Sequence, residues 1–158
     1  MVEWRRDDYV ISTDRTRLSL ETICSFLSRS YWADHRTREA TERSLSHSLC
    51  YGLYYRDKQI GFARLVTDYA TFYWLCDVFI DEDQRGKGLG KWLMECIMET
   101  PEVKELEFGI LVTRDAQGLY AKYGFEEATA VAKAFMYRLR EDLARKRKRE
   151  GAKKEDHT

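Results

Sequence analysis

The stretch Arg85-Gly86-Lys87-Gly88-Leu89-Gly90 constrains this chain more than any other. Before it, Ala70 to Ile80 is dense in aromatic and β-branched residues, the composition of a strand. After it, Leu89, Trp92, Leu93, Cys96 and Ile97 recur at the spacing of one apolar helix face, and Pro101 follows as a stop. The spelling is strand, glycine turn, helix. Glycines at alternate positions let the backbone turn tightly and let a ligand approach without Cβ interference. The first N–H groups of the helix point back at the turn, an arrangement that suits a pyrophosphate.

Two common phosphate loops do not fit. A Walker loop, G-x-x-x-x-G-K-S/T, needs Ser or Thr where Trp92 stands, and only three residues separate Gly86 from Gly90. A dinucleotide fingerprint, G-x-G-x-x-G, fits at Gly86 and Gly88 but meets Lys91 at its third glycine. Further on, Leu106, Phe108, Ile110 and Val112 alternate with their neighbours as a strand does. Asp115 is placed to cap a short helix that Gly124 ends, with Phe125 behind it.

Residues 85–90 match R/Q-x-x-G-x-G/A through Arg85, Gly88 and Gly90. Residues 116–125 match A-x-x-L-Y-x-x-x-G-F through Ala116, Leu119, Tyr120, Gly124 and Phe125. In this order the two resemble the coenzyme A loop and the tyrosine element of the GNAT acetyltransferases. The resemblance extends over the chain in length and element order and is most specific over residues 75–125. One position departs from it: many family members carry Asn seven residues before the tyrosine, where Thr113 stands here.

The resemblance implies an α/β fold of the α+β kind, the GNAT acyl-CoA N-acyltransferase fold. Its central mixed sheet splays between the fourth and fifth strands, with helices on its flanks. It also implies acetyl-CoA as cosubstrate, no metal, and direct transfer of the acetyl group to a primary amine in a ternary complex. The pantetheine arm is expected along Val78, Phe79 and Ile80. The pyrophosphate is expected on Arg85, Gly86, Lys87, Gly88, Leu89, Gly90 and Lys91, with Thr113 and Tyr120 also touching the cofactor. Tyr120 is expected to protonate the leaving thiolate, as a phenol that stays protonated at rest can. The base is open between Asp77, an acid inside an apolar strand run, and His35 or His47 in the early helical region; Cys76 as a covalent nucleophile runs against the family norm. Tyr31, Trp32, Tyr69 and Tyr73 are the acceptor-wall candidates. The first expectation is a small amine acceptor; a protein or peptide acceptor and a non-catalytic acyl-CoA sensor are the alternatives.

At 158 residues, 44% of them hydrophobic, the chain is long enough for one domain with a real core, expected to span residues 1–158. No apolar run approaches the roughly 20 residues that cross a membrane, and Met1 to Asp8 lacks a signal-peptide core. The four cysteines are widely spaced, which favours reduced thiols in the cytoplasm over a zinc or disulfide framework. Basic and acidic residues balance at 27 each, so nucleic acid has no global electrostatic draw; a homodimer is left open. The basic run from Arg145 reads as a frayed terminus.

The elements expected are a strand at Tyr9–Ser12, a helix capped by Ser19 and a polar helix capped by Thr37. Strands follow at Leu49–Arg56 and Gln59–Val66, turning at Asp57-Lys58, and then come the strand, helix and strand already described. A last strand is expected through Val131 to Leu139.

Overall fold

The structure, a computed structural model, describes residues 1–129 and positions 136 and 138. Met1–Phe125 forms one unit and Glu126–Thr158 a second. The strand expected over Val131 to Leu139 and the basic tail lie outside the described residues.

Among the described residues one sheet of six strands runs in the order β1 to β6. The strands are β1 (Glu3–Arg6), β2 (Tyr9–Ser12), β3 (Leu49–Tyr55), β4 (Lys58–Thr67), β5 (Phe72–Ile80) and β6 (Phe108–Leu111). The strand expected first is therefore the second arm of a hairpin, since Trp4 pairs with Ile11. The β3–β4 turn falls at Arg56-Asp57, one residue before its expected place, with Arg56 at φ 53°. Neighbours are antiparallel except β5 and β6, which are parallel and so need a crossover, supplied by α3 (Leu89–Glu99).

Helices cover both faces. On one face the predicted stripe of α3, Leu89, Trp92, Leu93, Cys96 and Ile97, is wholly buried against Tyr51, Leu53, Leu65 and Leu75. Each fully buried Leu or Ile there contributes roughly 1.5–3 kcal/mol. Pro101 does not merely stop α3; it begins the short α4 (Pro101–Lys104). On the other face α1 (Leu20–Ser28) sets Ile23, Phe26 and Leu27 against Cys50, Phe62 and Phe79, with Phe26 stacked on Phe79 at 4.7 Å. The oxygens of Ser19 and Thr37 accept from Thr22 N and Ala40 N, capping α1 and α2 (Arg38–Ser46) as expected. Among the described residues no helix is long and apolar enough to cross a membrane.

The sheet is interrupted where it matters. The β4–β5 register slips between Phe62 and Arg64, opposite Cys76 to Phe79, and Asp77 takes φ 54°. A bulge adds a residue to one strand and reverses its alternation beyond that point. Accordingly Tyr73 and Leu75 face α3, whereas past the bulge Phe79 packs with α1 and Val78 and Ile80 turn towards α3. β6 pairs with β5 only from Phe72–Phe108 to Leu75–Leu111. From Cys76 to Ile80 that edge of β5 has no strand partner among the described residues.

The paired end of β6 is held close by Gly109, which lies opposite Tyr73. A Cβ there would sit 2.3 Å from Tyr73 Cζ, part of a rigid ring. Gly109→Ala is therefore expected to cost on the order of 1–3 kcal/mol. Urea denaturation checks this, and an unchanged midpoint would contradict it.

Candidate active site

Beyond Ile80, a short 3₁₀ turn at Glu82–Gln84 leads to Arg85 and the glycine turn. Gly86 and Gly88 both lie at φ 77°, in the left-handed region, and nothing lies within 4 Å of where their Cβ atoms would be. Backbone conformation, not crowding, requires these glycines. Gly88 is the N-cap of α3 and has no side chain to offer. Unlike α1 and α2, α3 therefore begins with its first amides unserved by a side-chain cap. A Cβ on Gly90 would meet only Ile80 Cγ1 at 3.9 Å, so this front is bare.

The flanking side chains are partly committed. Arg85 Nε donates to Ile80 O at 3.0 Å, and its guanidinium lies 5.4 Å from the Phe79 ring. Lys87 Nζ donates to Gln84 Oε1 at 2.8 Å, while Lys91 is exposed. The Leu89 side chain is buried in the core, leaving only its N–H for a ligand.

At the bulge a buried ion cluster forms. Arg36 Nη1 and Arg64 Nε both donate to Asp77 Oδ2, at 2.6 and 2.8 Å, and Trp32 Nε1 donates to Oδ1 at 3.3 Å. Arg64 Nη1 also donates to Ser48 Oγ at 3.1 Å. Side-chain exposure is 2% for Asp77, 10% for Arg64 and 23% for Arg36. Burial pushes the Asp77 carboxyl up, but the Arg36 hydrogen bond and the charges of Arg64 and Arg36 outweigh it and hold the carboxyl below its usual range. Where a base was expected, Asp77 thus has the partners of a counter-ion: two guanidiniums on Oδ2 and an indole on Oδ1. His35 and His47 are both exposed, and His35 contacts Asp34 at 3.2 Å.

Tyr120 ends α5 (Gln117–Tyr120) and is buried against the α3 side of the core. Burial raises its phenol to about 12, with smaller pushes from Tyr31 and Asp115. A 3₁₀ turn at Ala121–Tyr123 ends at Gly124, φ 83°, and Phe125 packs edge-on to Tyr120 at 6.1 Å. Asp115 is exposed and does not cap α5; Thr113 Oγ1 instead accepts from Ala116 N at 3.1 Å, ordering the loop.

The α1–α2 loop ties the two sides together. While Trp32 and Arg36 hold the bulge, the Tyr31 hydroxyl accepts from Arg114 N at 3.0 Å and the Arg114 guanidinium lies 3.8 Å over the Tyr31 ring. Tyr31 and Trp32 thus connect the Asp77 cluster to the loop that carries Thr113 and Arg114. Two expected wall residues do not join them. Tyr73 is a core residue whose hydroxyl meets Met98 Sδ at 3.8 Å. Tyr69 lies exposed on the β4–β5 connection, before β5 begins. From Phe72 to the bulge is on the order of 13–16 Å along the strand. Arg36, Arg64 and Arg114 were not singled out. Arg64 carried a signal: it is a charge inside the apolar run of β4, as Asp77 is inside that of β5.

A mixed sheet with a bulged, half-released strand beside an uncapped glycine-led helix is an acyl-CoA transferase architecture. The family model for the acetyltransferase (GNAT) domain matches residues 46–127, just over half of the chain, and the chain belongs to that family. It is similar to a GNAT-family candidate acetyltransferase of Xanthomonas campestris, whose crystal structure superposes with a TM-score of 0.80 at 38% identity, covering 84% of this chain and 93% of that one. A curated candidate acetyltransferase of Gibberella zeae is 29% identical over 143 residues, 75% of this chain and 79% of that protein. A GNAT acetyltransferase of Elizabethkingia anophelis, solved with acetyl-CoA bound, shares the fold at 18% identity and a TM-score of 0.60, covering 77% of this chain and 78% of that one.

Asp77→Ala would leave two guanidiniums without their shared anion, and is expected to cost roughly 3–5 kcal/mol. The linkage has a definite sign. A carboxyl with a depressed folded pKa contributes stability above its unfolded value, about 3.8. That contribution fades as pH falls below this value and on through the lower folded one. Acid unfolding followed by circular dichroism should show this component in the parent and not in Asp77→Asn.

Proposed function

We propose that this chain transfers the acetyl group of acetyl-CoA directly to the primary amine of a small acceptor, with residues 1–158 acting as one acetyltransferase domain. The observation that carries the reading is the pairing of two features. One is the uncapped, glycine-led start of α3. The other is the β5 edge released from β6 at the Asp77 bulge. The acetyl-CoA in the Elizabethkingia structure supports it. The four cysteines are free thiols, in keeping with a cytoplasmic setting.

In this reading the amides of residues 86–90 hold the pyrophosphate, with Lys87 and Lys91 adding charge from the rim. Arg85 acts mainly from behind, fastening Ile80. The free edge at Val78, Phe79 and Ile80 pairs with the pantetheine amides as an added strand would. Backbone N–H groups at the bulge polarise the thioester carbonyl. The amine nitrogen bonds to the carbonyl carbon, the C–S bond breaks, and Tyr120 protonates the departing sulfur. Its phenol, raised to about 12, stays protonated through the neutral range. Thr113 acts through loop order.

The amine must first lose a proton. For a lysine-like amine of pKa about 10.4, fewer than about one in a thousand is neutral at pH 7. That proton leaves by a route outside the Arg64–Asp77–Arg36 cluster, whose carboxylate is already committed.

Calorimetry should show acetyl-CoA binding, and its absence would refute the proposal. Tyr120→Phe should lower kcat by about a hundredfold or more while acetyl-CoA Kd is retained. A parent protein that binds acetyl-CoA but acetylates no amine would favour the sensor alternative, and turnover confined to peptides would favour the peptide one.

A further inference from the structure

We propose that the acceptor carries a carboxylate beside its amine and that Arg36 is the group that holds it. This rests on the acetyl-transfer reading and concerns the same site.

The argument begins with charge. Two guanidiniums converge on one carboxylate oxygen, so the Arg64–Asp77–Arg36 cluster carries one net positive charge at the point where β5 leaves β6. Among the described residues Asp77 forms ion pairs with Arg36 and Arg64 alone. Asp34 and Asp115, the other acids of the two loops, are exposed and form no ion pair with either guanidinium. A half-buried, unbalanced cation is costly unless an anion joins it.

The donors point the same way. Arg64 is nearly enclosed and spends its fork on Asp77 and Ser48. Arg36 is more accessible, and among the described residues only its Nη1 is engaged. A guanidinium has five N–H donors in a planar fork that matches a carboxylate. Arg36 sits on the loop that also presents exposed Tyr31 and Trp32, and Arg114 sets a second guanidinium over Tyr31.

This field suits the reaction as well as the ligand. Nearby positive charge favours the neutral form of an amine, which is the form that attacks. It also repels polyamines and lysine-rich peptides, which bring no anion to offset it. An amino-acid-like molecule, with amine and carboxylate a few bonds apart, meets both conditions.

The experiment is a turnover screen with acetyl-CoA and L-amino acids, each paired with its amide and its decarboxylated amine. The parent should prefer the acids over their amides by about tenfold to a hundredfold in kcat/KM, the value of a hydrogen bond to a charged group. Arg36→Met should collapse that ratio through the acceptor KM. Arg36→Lys, which keeps the charge but not the fork, should retain part of it and carries the test should Arg36→Met not fold. Three results would each overturn the inference: amides accepted as well as acids, a ratio indifferent to both variants, or no carboxylate-bearing amine turned over. Calorimetry on the same samples separates the two readings. Missing acetyl-CoA binding removes acetyl transfer itself, whereas binding with acid-indifferent turnover removes only the carboxylate.

Discussion

The shared grip of Arg36 and Arg64 on Asp77 is the interaction on which this molecule's active region depends. It sits where the sheet changes its habits beside β6. There the β4–β5 register slips, the side-chain alternation of β5 reverses, and β6 ceases to follow. An aspartate at φ 54° is a strained choice, and the ion cluster is what offsets that strain. The cluster also reaches outward. Through Arg36 and Trp32 it fixes the loop between α1 and α2, and through Tyr31 that loop grips Arg114 on the far side of the opening. One buried carboxylate therefore sets the strand edge and the roof above it together.

The second constraint is an omission. Ser19 and Thr37 serve the first amides of α1 and α2, whereas Gly88 serves none of those of α3. A helix that leaves its N-terminal dipole open forgoes about 1 kcal/mol of capping. It keeps in return a place where negative charge is welcome. The left-handed turns at Gly86 and Gly88 lie between the end of β5 at Ile80 and the start of α3 at Leu89, so the uncapped helix start follows the unpaired strand edge closely in the chain.

The fold was largely legible because its signals are local. Leu89, Trp92, Leu93, Cys96 and Ile97 declare a helix face whatever surrounds them, and Ser19, Thr37 and Gly124 act within a turn of their own positions. Failures came where two options were locally equivalent. Asp115 and Thr113 both precede α5, and only the loop's path selects the Thr113 hydroxyl. Tyr73 and Tyr31 look alike as aromatic residues near a cleft. Which of them lines it follows from the bulge: Tyr73 precedes the reversal and is turned into the α3 core.

The sequence by itself determined the core run of elements from β2 to β6, the left-handed glycine turn before α3 and the Gly124 stop after Tyr120, because each is written in neighbouring residues and short-range backbone preferences. The tertiary structure alone decided what Asp77 touches. An acid in an apolar strand is equally a base or a counter-ion until its partners are known, and those partners lie 13 and 41 residues away. Only folding brings two guanidiniums onto one carboxylate, and their charge lowers its proton affinity.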